Sequence, residues 1–405
     1  MEKKHNETSL TKSENHKAKI VHLCLSCFYI DDFSYQENML PKYHKEMGYD
    51  VTVIASLVSF DSNGKPCILP SGGEYMAKDG YKVVRLDYKK PFHKLNSFIR
   101  IYDNLMKYIV EEAPDILFIH DYSFMDILPV MEYAKKNNVT VYSDCHTDYI
   151  NSAKSWVSKN IFHHLIWRLI GKKIKNDIKF FYGVTPLRCD FLKDAYQLPD
   201  EKIKFLRMGV DDHKLQELIN SNVGVNLRKE LRIEDDEFVI LTGGKIDFQK
   251  NIHLVLEAVR NIKNSNKKFK LVVFGVIAPE SKEMIDQLLD SENIIFVGWL
   301  SQEKILDYLL MSDLIIFPGT HSVLWEQAVG AGKPAIFKYW DGMTHVDIGG
   351  NCRFLRNESI EEIEKVLIEI LNDPDVYKNM LEKANSPLAK EFYYSVISKK
   401  SIELC

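Results

Sequence analysis

The chain has 405 residues, 45% of them hydrophobic and 27% charged, with a formal net charge of −4. That length exceeds one ordinary core and suits two domains. The composition excludes a disordered or fibrous chain and a globally basic nucleic-acid binder, and no apolar run approaches the ~18–20 residues of a spanning helix.

Residues 1–17 are polar and lack the apolar core of a signal peptide, so they read as a disordered leader. With seven cysteines and no such signal, free thiols in a reducing, cytoplasmic setting are expected. The first apolar run, Lys19–Cys27, reads as a strand. It carries Cys24 and Cys27 as a CxxC, but no second pair follows, and both thiols suit the role of small buried hydrophobes. A polar loop with Asp31, Asp32 and Ser34 precedes a helix over Gln36–Met47, and Asp32 or Ser34 suits its cap. Strands Val51–Ala55 and Lys82–Leu86, a helical stretch Leu95–Glu112, and strands Ile116–His120 and Val139–Ser143 follow. The last two end in polar clusters, His120–Asp121 and Asp144-Cys145-His146-Thr147-Asp148.

Within Ser152–Lys179, Ile161, Leu165 and Leu169 recur every four residues, with Phe162, Ile166 and Ile170 beside them. The polar side carries Lys154, Lys159, His163, His164, Arg168, Lys172, Lys173 and Lys175, with Trp156 and Trp167 among them. A basic amphipathic helix with aromatics suits an anionic membrane surface, although such a stripe also packs on sheets. Strands Phe180–Gly183 and Lys202–Leu206 close this half.

The rhythm then restarts. Phe238–Thr242 is a buried strand running into Gly243–Gly244, then Lys245, Lys250 and Asn251 at a helix start. Glycines permit close backbone approach, a helix N-terminus presents free N–H groups, and two lysines five apart suit a diphosphate. The alternative is a surface turn with solvated lysines. Strands Lys270–Phe274, Ile294–Val297, Leu314–Phe317 and Ala335–Phe337 follow. After Phe317 comes a polar loop, Gly319-Thr320-His321-Ser322, with Ser322 as a candidate N-cap. The next helix carries Glu326 and Gln327, placed to hydrogen-bond a ribose diol. GAGKP lacks the GxxxxGK[ST] spacing of a P-loop and puts Pro where its hydroxyl should be, which excludes that motif. Helices over Ile360–Leu371 and Asp375–Lys383 precede Ser386–Pro387, and a last helix over Leu388–Glu403 is expected to return to the first half.

Strands alternating with helices predict an α/β chain of two doubly wound, Rossmann-like domains with ligands at the strands' carboxyl ends. The expected boundaries are 18–206 for the first domain, 207–385 for the second and 386–405 for the returning helix.

From Phe238 to Phe337, the order and spacing of these blocks resemble the donor domain of retaining family 4 glycosyltransferases, which have the GT-B fold. The resemblance implies transfer of a sugar from a nucleotide-diphosphate-sugar to an acceptor hydroxyl, in polysaccharide or glycolipid biosynthesis. Lys245 and Lys250 would grip the diphosphate, and Gly298 to Ser301 would lie near the base. His146 resembles the cleft histidine of members that act on lipid acceptors; the plain alternative is a strand-end histidine satisfied by backbone. Asp31, Asp32, His120 and Asp148 are candidate acceptor contacts. The family's Glu-x7-Glu pattern is broken here, with Gly319 and Gln327 at its two positions. No Asp-x-Asp stands at a strand end, so the chemistry is expected to need neither metal nor cofactor, with a nucleotide sugar as co-substrate. The expected partners are a glycan or lipid-linked acceptor and an anionic membrane surface on the cytoplasmic face, and no nucleic acid. A sugar-nucleotide 2-epimerase of the same fold and a catalytically silent binding subunit are the alternatives.

Overall fold

In the computed structural model, residues 17–61, 66–91, 93–153 and 155–403 are described. The expected leader, apart from its last residue, and Lys154 lie outside them. Sixteen strands form β1 (Lys19–Cys24), β2 (Asp50–Ala55), β3 (Val58–Phe60), β4 (Pro66–Ile68), β5 (Gly73–Met76), β6 (Lys82–Arg85), β7 (Ile116–His120), β8 (Thr140–Cys145), β9 (Phe180–Gly183), β10 (Ile203–Phe205), β11 (Phe238–Ile246), β12 (Phe269–Ile277), β13 (Ile294–Gly298), β14 (Leu314–Phe317), β15 (Ala335–Lys338) and β16 (Cys352–Leu355).

They make one sheet of order β10-β9-β8-β7-β1-β2-β6-β5 and a second of order β13-β12-β11-β14-β15-β16, with β3 and β4 paired separately. Both large sheets are parallel, apart from the antiparallel β5 at one edge. Their central strands are buried on both faces, as continuous apolar runs require. In the first sheet, β1 lies between β7 and β2, so the segments after β1, β7 and β8 open at the same edge. In the second, β11 and β14 are neighbours, which brings the loops after Ile246 and Phe317 together.

The structure corrects several expected elements. β1 stops at Cys24 rather than Cys27. The single helix expected over Leu95–Glu112 is two, His93–Ile99 and Leu105–Glu112, separated by left-handed residues at Arg100 and Asn104. β11 runs on through Gly243 and Gly244 to Ile246, so these glycines lie inside a strand and not in a turn. Gly275 in β12 explains the fit: it has φ +134°, and a Cβ there would stand 1.7 Å from the Gly244 carbonyl oxygen. The last helix is a 3₁₀ segment, Pro387–Phe392, followed by a helix over Tyr394–Ser401. Tyr394, Ile397 and Ile402 pack in one cluster with Ile20, Leu40 and Tyr43 beneath the first sheet.

The stretch after β8 differs most. Residues Ser158–Trp167 form a π-helix, continued as α-helix over Arg168–Ile174; the Arg168 N–H, for example, donates to the His163 carbonyl. His163, expected on the polar side, is buried, with Nδ1 3.0 Å from the Tyr196 hydroxyl. Ile161, Leu165 and Leu169 instead face solvent at 38%, 52% and 53% exposure.

Candidate active site between two strand-edge clusters

The first cluster grows from the ends of β7 and β8. His120 and Asp144 close their strands side by side. His120 Nδ1 donates to Asp144 Oδ2 at 2.9 Å, and both side chains are fully buried. Burial opposes the His120 charge, but Asp144 outweighs it and raises the pKa to about 10. The same pairing, extended by His146, holds Asp144 well below the usual carboxylate range despite its burial. Behind His120 stand His22, with Nδ1 3.0 Å from His120 Nε2, and His44, 3.1 Å further on. Burial pushes both of these down, His44 to about 4.

His146 lies one residue past β8. Its Nε2 is 3.4 Å from Asp144 Oδ2 and 4.0 Å from Glu37 Oε1, without a well-formed hydrogen bond. Burial lowers its pKa, yet Glu37 and Asp144 together raise it above the ordinary imidazole value. Asp148 accepts from Arg188 Nε at 3.1 Å and from the N–H groups of Ile150 and Asn151.

The other proposed acceptor residues are placed differently. Asp31 accepts from Tyr75 and pairs with Arg85. Asp32 is exposed at φ 63° and pairs with Lys78. Neither Asp32 nor Ser34 caps the first helix, whose N-cap is Tyr35, and neither Asp31 nor Asp32 lines the cavity described below. Arg85, fully inside, gives Asp31 a structural partner, which accounts for its position.

The second cluster grows from the ends of β11 and β14. Asp247 accepts from the Gln249 and Lys250 N–H groups and tightens the turn that precedes helix Ile252–Asn261. Asn251, at φ 53°, caps that helix by backbone and donates its amide to the Pro318 carbonyl. Lys250 is drawn inward. Its Nζ donates to the Thr320 carbonyl at 2.6 Å, and burial pushes its pKa down to about 8. Lys245 stays 68% exposed and pairs with Asp247 at 3.1 Å. Gly319 packs on this turn so closely that a Cβ would stand 2.3 Å from the Lys250 Cα.

Ser322 does not cap the following helix, Leu324–Gly330, whose N-cap is Val323. Nor does Glu326 present itself to a ribose: it is fully buried, and its Oε1 lies 2.8 Å from Nε2 of both His321 and His345. The pull of the two imidazoles overcomes burial and holds its pKa well below the ordinary value. Gln327 reaches across to the first domain, donating to Ser34 Oγ at 3.1 Å, and Ser34 donates on to Gln302 at 3.0 Å. Gly298 closes β13 at φ 74° with open space around it, and Ser301 is the N-cap of helix Gln302–Met311.

A cavity of about 660 Å³ joins the clusters. Its lining includes Glu37, His146, Asn151 and Arg188 from the first domain and His321 and Ser322 from the second, together with Phe28, Phe60, Phe98, Phe162 and Trp167. A smaller one of about 180 Å³ lies among Asp148, Arg188, Gln249, Thr320, His321 and Trp340. Of the expected site residues, His120, Asp31, Asp32, Lys245, Lys250, Asn251, Gly298, Ser301, Glu326 and Gln327 line neither. Two groups, Glu37 with His120 and His146, and Glu326 with His321 and His345, bring nitrogen and oxygen atoms within 4.8 Å of one another. In the second group both contacts are 2.8 Å, the separation of an imidazole N–H donating to a carboxylate.

Sequence reasoning missed Arg188 and His345. Arg188 had a signal: Thr185-Pro186 just after β9 is a helix start, with Thr185 capping the Arg188 N–H. His345 lies in an irregular segment and had none.

Residues 225–386 match the family described as Glycosyl transferases group 1. That match lies in the second half of the chain and includes the Lys250 turn and the loop after Phe317. Alpha-monoglucosyldiacylglycerol synthase of Acholeplasma laidlawii is 23% identical over 375 residues, 86% of this chain and 87% of that one. An uncharacterized glycosyltransferase of Methanocaldococcus jannaschii is 18% identical over 216 residues, 52% of this chain; the match spans only 55% of that relative's length. Among solved structures, a glycosyltransferase from Rickettsia africae aligns over 96% of this chain and 97% of its own at 16% identity, with a TM-score of 0.67. HepE of Anabaena, solved with UDP and glucose, aligns over 95% and 98% at 14% identity, with a TM-score of 0.61. At such identities these structures establish the fold, and the chain has the expected GT-B architecture.

Proposed function

We propose that this chain moves a sugar from a nucleotide-diphosphate-sugar to a hydroxyl of a lipid-linked or glycan acceptor, with retention and without a metal ion, in polysaccharide or glycolipid biosynthesis. The observation that carries the reading is the larger cavity, lined by His146 from one domain and by His321 and Ser322 from the other, with Thr320, the residue before His321, bonded to Lys250. Two clusters on opposite walls are what a two-substrate transfer requires. Charge would develop on the departing diphosphate, and Lys245, Lys250 and the nearby backbone N–H groups would stabilise it. His146 faces the acceptor side, where an imidazole can hold or relay the hydroxyl proton.

Two further observations favour an amphiphilic acceptor that meets a membrane. Phe98 and Phe162, in edge contact at 5.4 Å, line the cavity, and Phe98 is itself 66% exposed among the solvent-facing Leu95, Trp156, Val157, Ile161 and Leu165. The Acholeplasma relative is named for a diacylglycerol product. Among the described residues no helix is long and apolar enough to cross a membrane, so contact would be from the surface.

Calorimetric titration of nucleoside diphosphates tests the donor site. The Lys245→Ala/Lys250→Ala variant is expected to bind at least about a hundredfold more weakly, two charge-assisted bonds at about 1.5–3 kcal/mol each. Unchanged affinity removes the assignment. An NMR time course with sugar nucleotide alone separates the alternatives: a new sugar nucleotide marks an epimerase, slow hydrolysis a transferase.

A further inference from the structure

We propose that Glu326 is a positioning residue that fixes His321 with its proton on Nε2, leaving Nδ1 to accept a hydrogen bond from a hydroxyl of the sugar that the donor carries. The inference rests on the donor reading of the Lys250 turn and adds to it the group that reads the sugar.

Glu326 Oε1 receives both imidazoles at 2.8 Å, while Oε2 is buried without a partner. A fully buried carboxylate kept ionised accepts and never donates, so both histidines must carry their protons on Nε2. In a neutral ring held this way, Nδ1 is a bare acceptor. That of His345 is buried without a partner, and His345 lines neither cavity. His321 lines both, its ring set edge-on against Trp325 at 5.2 Å, and Glu326 is its only hydrogen-bond partner among the described residues. Of the two acceptors, His321 Nδ1 is therefore the one available to a ligand.

The titratable and charged groups facing His321 are Glu326, His345 and Arg188. Burial lowers its pKa, Glu326 opposes this, and Arg188 and His345 reinforce it; the net shift is downward, so the ring is neutral at pH 7. A neutral acceptor seeks an O–H or N–H donor, and a diphosphate oxygen offers none. The adjoining Thr320 carbonyl is bonded by Lys250, the proposed diphosphate lysine, and His321 shares its cavity with His146 on the proposed acceptor side; of the two groups that flank the diphosphate, the one that must meet the acceptor is the sugar. A sugar keeping a hydroxyl at that position is selected, and its deoxy analogue leaves Nδ1 unpaired.

A thermal-shift panel of sugar nucleotides first identifies the one that most stabilises the wild-type chain. If none does, the donor reading itself falls, and this inference with it. Calorimetry then compares that nucleotide sugar with its bare nucleoside diphosphate. His321→Phe and Glu326→Leu are expected to lose tenfold or more in affinity for the sugar nucleotide and little for the diphosphate. Equal losses for both ligands would overturn the proposal while leaving the donor site standing. Glu326→Gln guards against misfolding, since its carbonyl still accepts both Nε2 protons. It should keep the sugar's contribution at pH 7. Without the carboxylate's charge the His321 pKa falls further, so the pH at which acid abolishes that contribution should move down. An unmoved acid limb, or loss of the contribution on dialysis against chelator with restoration by zinc, would also overturn it.

Discussion

At the residue scale, His120 and Asp144 form a fully buried pair in the first domain. Removing one partner of a buried pair typically costs about 3–5 kcal/mol, and Asp144→Asn is expected to destabilise the chain by that order in urea titrations. The pH dependence has a definite sign. The raised His120 pKa gives stability that is complete below the unfolded value of ~6.5 and lost as pH rises through about 10. The lowered Asp144 pKa gives stability present above ~4 and lost as pH falls further. The difference between wild type and variant should therefore be greatest between pH ~4 and ~6.5 and shrink towards pH 10; a difference flat across that range contradicts the pairing. The strand ends that placed His120, Asp144 and His146 were legible in the sequence, because apolar runs ending in polar clusters mark where a parallel sheet opens. Glu326 was legible as a residue near the site but not in its role, since the histidine that shares its oxygen stands 19 residues further along the chain.

At the scale of elements, apolar period and strand composition gave the parallel sheets and most strand bounds. What periodicity could not give were features set by distant contacts. The break at Arg100 has no glycine or proline; it is held by the guanidinium donating to the Ser123 carbonyl and hydroxyl. β11 continues through its glycines because a glycine in β12 lies opposite. The π-helix over Ser158–Trp167 places Ile161 and Leu165 outward, on the side where Leu169, Lys172 and Lys173 of the α-helical continuation are also exposed. Ile161, Leu165 and Leu169 each lose about 1 kcal/mol of exposure cost in a lipid interface. Their triple replacement by serine should weaken co-sedimentation with anionic vesicles about a hundredfold while leaving nucleotide affinity unchanged. A wild-type chain that stays in the supernatant refutes membrane contact.

At the scale of the whole molecule, the last helix ties the second domain's end to the first domain's core. His44 Nε2 lies 3.0 Å from Ser401 Oγ, and the Tyr142 hydroxyl donates to the Glu403 carbonyl at 2.8 Å. Burial of Tyr394, Ile397 and Ile402 contributes about 5–8 kcal/mol, comparable with the stability of a domain. Deleting residues 394–405 is therefore expected to abolish cooperative thermal unfolding of the first domain and expose it to limited proteolysis. Survival of that transition would show the helix to be dispensable.

The contact between Gly319 and the Lys250 turn carries one more consequence. One nucleotide substitution separates some glycine codons from glutamate, so in coding terms the acid that family 4 enzymes usually hold at this position is close at hand. In steric terms it is remote, because any side chain there collides with the backbone that holds Lys250. In this chain's turn a carboxylate at that position would displace the backbone that carries Lys250, so directed evolution from this chain would have to reshape the turn before it could hold the acid.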